Sequence, residues 1–168
     1  MSEGPRKVEP IQPSPRPAAH PATERPGGPR DVERTPLVVR LCETDLMGIV
    51  HHGNYLQYFE VGRVCWFKER GATFDKWDGV QLPVVEARLR YRKPARFDDD
   101  LVIETWVSER KGASVRFAYR IVRSSGAQEE LLCEGDTLLA CVGPGLQPRR
   151  FPEFLRRVLG FPGGHGSG

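Results

Sequence analysis

No stretch of this chain approaches the ~20 consecutive apolar residues that a helix needs to cross a bilayer. No apolar segment near the start has the form of a secretion signal, so the expected location is cytoplasmic. Charge of one sign is not in excess: 25 Lys and Arg against 22 Asp and Glu leave a formal charge of +3. That balance is too weak to argue for a nucleic-acid partner, which would want basic residues concentrated on one element with interleaved aromatics. It allows a mild preference for anionic small ligands. Cys42, Cys65, Cys133 and Cys141 show no CxxC spacing, and no Cys/His group has metal-ligand spacing, which argues against zinc. The expectation is free, reduced and mostly buried thiols. Aromatic residues are missing altogether from residues 1–35, which hold Pro5, Pro10, Pro13, Pro15, Pro17, Pro21, Pro26 and Pro29 among charges of both signs. Such a segment has too little apolar surface to offset the entropy of ordering it, so residues 1–35 read as a disordered or polyproline-like tail. A docking tail for a partner is the alternative. Glycine-rich residues 161–168 are expected to be a flexible end.

What remains, residues 36–160, fits one domain of ordinary size. Residues 37–42 are β-branched and apolar and predict a strand, followed by a polar loop from Glu43 to Gly53. Asn54, a good N-cap residue, is expected to open a helix. Tyr55, Tyr58, Phe59, Gly62, Cys65 and Trp66 recur at helical spacing and predict one broad apolar face, with Gly71 as terminator. Four strands follow. Residues 83–92 alternate Val85, Ala87, Leu89 and Tyr91 with Glu86, Arg88, Arg90 and Arg92. Residues 101–107 alternate as well, and Val115, Phe117, Tyr119 and Ile121 alternate with Ser114, Arg116, Ala118 and Arg120. Residues 131–142 are the most apolar and are expected to be central in the sheet. Turns fall at Asp98–Asp100, at Lys111-Gly112 and at Ser124-Ser125-Gly126, and a short helix is expected over residues 154–159. Short turns between strands imply an antiparallel meander, and a single amphipathic helix must then cover one of its faces, an α+β class.

The segment that carries chemistry is Glu43-Thr44-Asp45-Leu46-Met47-Gly48-Ile49-Val50-His51-His52-Gly53-Asn54-Tyr55. It puts an acid, Asp45, on a loop directly before a helix start. The first turn of a helix has N–H groups without intrahelical partners and carries the positive end of the macrodipole. Such a site can hold a developing oxyanion. A nearby carboxylate can attack a carbonyl or activate water, and acyl transfer needs both parts.

This segment resembles the loop–helix signature of the 4-hydroxybenzoyl-CoA thioesterase family of hot-dog proteins. Within that family it is most similar to the acyl-CoA thioesterases associated with the Tol-Pal envelope system. Tyr91-Arg92-Lys93-Pro94-Ala95-Arg96-Phe97-Asp98-Asp99 resembles the same group's strand–turn segment, and the likeness runs from about residue 36 to residue 150. The resemblance implies a hot-dog fold, a curved five-stranded antiparallel sheet wrapped around one long helix. It implies hydrolysis of an acyl-CoA or acyl-carrier-protein thioester to the free acid and thiol. No metal or organic cofactor is expected, coenzyme A being part of the substrate. A homodimer or homotetramer with sites between protomers is expected. Asp45 falls on the family's catalytic aspartate, and the N–H groups near His52 and Gly53 on the donor that polarises the thioester carbonyl. His52 falls at a position where a histidine is frequent, and Asn54 and Tyr55 at the helix start beside the substrate. Glu60 is a further candidate contact, because another hot-dog branch uses a helix-borne carboxylate. His51 stands where an aromatic residue is usual. Glu43 stands where many relatives have a second aspartate and is expected to serve only loop shape or local charge.

Plainer readings stand beside these. Asp45 can be a loop-forming Asx-turn residue, His52 a polar helix-entry residue, and Glu60 a solvated or salt-bridged side chain. The run Asp98-Asp99-Asp100 reads as a solvated turn. Arg88, Arg90, Arg92, Arg116 and Arg120 form either a solvated sheet face or a surface meeting coenzyme A phosphates. Two rival functions are a hot-dog 3-hydroxyacyl-thioester dehydratase or hydratase and a non-catalytic acyl-binding module. Thiol release against enoyl-thioester formation separates the first from hydrolysis.

Overall fold

The computed structural model of the protein describes residues 32–125 and 128–161. Most of the expected tail, the expected turn residue Gly126 and the expected flexible end after Phe161 lie outside them. Five strands and one long helix follow in the order β1 (Glu33–Val38), α1 (Asn54–Glu69), β2 (Val84–Tyr91), β3 (Asp100–Lys111), β4 (Ser114–Ser125), β5 (Gln128–Ala140), with a short α2 (Glu153–Val158) at the end. The strands make one antiparallel sheet of order β1-β3-β4-β5-β2. β3, β4 and β5 are the expected meander, and β1 and β2 close its two sides. β5 is interior, as its apolar sequence requires, with β4 at the centre. No helix among the described residues is long and apolar enough to cross a membrane.

The first strand is shifted from its expected place. β1 begins at Glu33, inside the expected tail, because Glu33 to Val38 pair with Thr105 to Asp100 and Arg34 makes an ion pair with Glu104. It stops at Val38, and Leu41–Glu43 form a 3-10 turn instead of continuing the strand. Pairing, rather than local composition, sets these limits.

Tyr55, Tyr58, Phe59, Gly62, Trp66 and Phe67 are the buried residues of α1. They lie on β1, β3 and β4. Phe67 replaces the expected Cys65, which is half-buried. Phe59 stacks on Tyr119 with ring centroids 4.2 Å apart and planes 7° from parallel, and Trp66 meets Phe117 edge-on at 5.1 Å. Each fully buried side chain of this size contributes roughly 1.5–3 kcal/mol. A Cβ on Gly62 would come within 2.4 Å of Thr105 Oγ1 and 2.7 Å of Ile103 Cγ2, so glycine here lets helix and sheet approach. Gly71, at φ +65°, ends the helix in the left-handed conformation that glycine adopts freely.

The opposite face of the sheet is ionic. Arg88 and Arg116 both pair with buried Asp136, Arg120 with buried Glu104, and Arg92 with Glu134. These arginines point outward as the alternation requires. These four are ion-paired across strands, as on a solvated, salt-bridged sheet face.

Candidate active site

Residues 44–50 form a closed loop. Thr44 and Val50 bridge antiparallel, the Asp45 N–H donates to the Ile49 carbonyl at 2.9 Å, and the Gly48 N–H donates to the Asp45 carbonyl at 2.9 Å. Gly48, at φ +71°, makes the turn. The Met47 N–H donates to Asp45 Oδ1 at 2.8 Å. Asp45 is thus an Asx-type loop former. Only one of its oxygens is engaged in this way, and its half-buried side chain also lines a cavity.

The loop is tied to the start of α1. The His51 N–H and the Asn54 Nδ2 both donate to the Glu43 carbonyl, at 2.9 and 2.7 Å. The Val50 N–H donates to the Ala95 carbonyl at 2.9 Å. Asn54 is therefore not the N-cap expected from its type: Gly53 holds that position and Asn54 is the first helical residue. Its amide serves the loop because the Glu43 carbonyl is within reach. The Gly53 N–H donates to His51 Nδ1 at 3.2 Å, which gives His51 a definite local role. The rings of His51 and His52 stand 4.1 Å apart, centroid to centroid. The backbone N–H of His52 has no hydrogen-bond acceptor among the described residues.

A cavity of about 390 Å³ opens at this point, lined among others by Asp45, Met47, His52, Tyr55, Tyr91 and Lys93. Tyr55 is buried and its hydroxyl accepts from the Ala95 N–H at 3.2 Å. The Tyr91 hydroxyl donates to the His52 carbonyl at 3.1 Å, and the two tyrosine rings meet edge-on at 5.3 Å. Burial pushes the Tyr55 phenol above the ordinary tyrosine range, and partial desolvation of the half-exposed Tyr91 moves its phenol the same way. Lys93 and Arg92, at the rim, pair with Glu130 and Glu134.

Asp45, His52 and Tyr55 are thus brought to one cavity, with Gly53 and Asn54 beside it but outside its lining. Glu60 is not part of it. It is exposed, stands 4.0 Å from Arg63, and lines a separate cavity of about 210 Å³ with Arg63, Val64, Phe67, Phe74 and Trp77. Of the acidic run, Asp99 accepts from the Arg96 N–H and from Arg123, both at 2.8 Å. Sequence reasoning missed Tyr91 as a site residue. The signal was present, because the alternation of residues 83–92 puts Tyr91 on the same side as Leu89, facing the helix. The cleft of about 450 Å³ along β2 and β5, between Ala87–Arg90 and Glu134–Asp136, holds none of these residues.

The profile of the thioesterase superfamily matches residues 47–130, half of the chain. The chain belongs to the thioesterase superfamily. The hot-dog architecture of that superfamily is the sheet and helix described above, and with that membership the enzyme class is thioester hydrolase. Among its relatives is the acyl-CoA thioester hydrolase YbgC of Escherichia coli, 32% identical over 125 residues, 73% of this chain and 91% of the relative. The acyl-CoA thioesterase YbgC of Haemophilus influenzae is 34% identical over 128 residues, 74% and 91% of the two chains. The crystal structure of a Thermus thermophilus protein, TT1821, superposes with a TM-score of 0.69 at 35% identity, over 77% of this chain and 95% of that one. The superfamily match begins inside the loop, two residues after Asp45, and takes in His52 and Tyr55.

Proposed function

We propose that this thioesterase-superfamily chain hydrolyses acyl-CoA thioesters with Asp45 as the catalytic carboxylate. The observation that carries the reading is that Asp45 lines the same cavity as His52 and Tyr55, the residues that flank the start of α1. In the general-base form, Asp45 takes a proton from water as the water oxygen adds to the thioester carbonyl. The oxyanion forms beside the helix N-terminus, where the His52 N–H has no other acceptor among the described residues. Collapse of the tetrahedral species breaks the C–S bond, and the thiolate takes up the proton that Asp45 had accepted, which restores the carboxylate. In the nucleophilic form, Asp45 itself adds to the carbonyl, and the C–S bond breaks to release the thiolate and leave a mixed anhydride. Water then cleaves the anhydride to return Asp45 and the free acid, its proton passing to the thiolate. Gly53 is second to His52 as a donor, because its N–H must first leave the His51 ring.

Asp45→Asn is nearly isosteric and neutral. It should lower thiol release from the best acyl-CoA by ~10²–10⁴-fold with little change in melting temperature. Turnover of the folded variant within about threefold of the parent would remove Asp45 from this role. Enoyl-thioester formation without thiol release would point to dehydratase chemistry instead.

The same reading includes a second copy of the chain. β2 is a sheet edge with Val84, Val85 and Tyr91 exposed at 44%, 58% and 49%. Unpaired strand edges are templates for pairing. The C-terminal end of β2 leads to Tyr91 and Lys93 at the Asp45 cavity, and its N-terminal end starts from Gln81 and Leu82 at the Glu60 cavity. Antiparallel pairing of two β2 edges about a two-fold axis brings the Asp45 cavity of one protomer toward the Glu60 cavity of its partner. Closed two-fold symmetry is the commonest oligomeric form.

A further inference from the structure

We propose that Glu43 is a positioning residue for catalysis, one that fixes the distance between the Asp45 loop and the start of α1; this rests on the reading of Asp45 given above. Glu43 is a carboxylate that the reaction as written does not use, yet it is only 5% exposed. Its Oε2 accepts from the Tyr58 hydroxyl at 2.9 Å and from the Arg40 backbone N–H at 2.8 Å. Its Oε1 accepts from Arg40 Nη2 at 2.7 Å and Nε at 3.1 Å. Its carbonyl takes the His51 N–H and the Asn54 amide. One residue therefore joins three pieces: the segment leaving β1 through Arg40, the second turn of α1 through Tyr58, and the helix entry through His51 and Asn54. Asp45 lies two residues further along.

Burial alone would raise the Glu43 carboxyl, but hydrogen bonds from Arg40 and Tyr58 outweigh it and hold it below the ordinary glutamate range. Burial first, and then the hydrogen bond to Glu43 and its charge, push the Tyr58 phenol well above its ordinary value, so Tyr58 remains a donor. Glu43 is buried but its partner Arg40 is exposed, so water screens the pair and it adds little stability of its own. An apolar contact would hold these segments together equally well, but with no preferred direction. Charge-assisted hydrogen bonds are short and directional, and a misplacement of about 1 Å at a catalytic group can cost ~10²-fold in rate.

The test compares Glu43→Gln, Tyr58→Phe and the double variant with Asp45→Asn on one acyl-CoA, measuring kcat, KM and melting temperature. Tyr58→Phe removes a single hydroxyl and keeps the ring, so it decides the matter if Glu43→Gln does not fold. The expected result is a fall in kcat of ~10-fold or more for each single variant, with KM within about twofold. The double variant should be little worse than the weaker single one, because both changes cut the same tie. A kcat within about threefold of the parent for Tyr58→Phe, while Asp45→Asn collapses, overturns the positioning role and leaves the catalytic assignment standing. Losses confined to melting temperature or to KM overturn it too. Retained turnover in Asp45→Asn instead removes the reading on which the proposal rests.

Discussion

A thiol reacts according to its exposure and its thiolate fraction, and the four cysteines span that range. Cys42 is exposed, Cys65 half-buried, Cys133 and Cys141 buried. Burial pushes the Cys133 thiol up to about 12 and raises that of Cys141. Under native conditions at neutral pH, a maleimide should label Cys42 first and reach Cys133 and Cys141 only after unfolding, as read by peptide mapping. Native labelling of Cys133 as fast as Cys42 would mean that β5 opens readily. The expectation of mostly buried thiols suits two positions. Cys42 departs from it because β1 stops at Val38 and leaves Cys42 in an exposed turn. The site divides in the same way. That Asp45, His52 and Tyr55 share one cavity was legible because their spacing is local: a loop acid, a helix entry and an inward aromatic. The side taken by Tyr91 was readable from the alternation of its strand, but its contact with His52, 39 residues away, was not, and neither was the tie from Glu43 to Tyr58 across 15 residues. The pairing of Glu60 with Arg63 is an i,i+3 relation that the helix reading already allowed.

At the scale of elements, the alternation in residues 83–92 gives the facing of β2 correctly but not its burial. Ala87, Leu89 and Tyr91 share the side of α1, and the arginines take the other. Val85 and Tyr91 are nonetheless exposed, because α1 lies over β1, β3 and β4 and leaves the margin bare. Alternation records which side a residue takes, and only the strand order tells how much covers it. The register also shifts between Val84 and Glu86, which puts Val85 at an irregularity of the edge. If β2 meets its counterpart in a second chain, a charge at Val85 should block the contact, as lysine does on natural sheet edges. Val85→Lys is expected to sediment as a folded monomer with lowered turnover, while the parent sediments as an oligomer. A parent that is monomeric at assay concentration and fully active would end the case for a shared site.

For the whole molecule, the sheet order sets apart near and far pairings. β3, β4 and β5 are joined by short hairpins, whereas β1 reaches β3 with Glu33 opposite Thr105, and β2 reaches β5 with Tyr91 opposite Cys133. Closing a longer loop costs more entropy before contacts repay it, so near pairings form sooner. The Asp45 loop hangs from β1, and Tyr91 and Lys93 come at the end of β2, so the cavity around His52 and Tyr55 is completed by the two strands with the most distant pairings. A refolding chain should therefore regain sheet signal in the far ultraviolet before it regains hydrolysis. That lag should persist at protein concentrations too high for association to limit the rate. Simultaneous recovery of both signals would mean that the margins dock together with the centre. Such a delay has a biological edge: a half-made protomer would carry its central hairpins and yet be chemically silent.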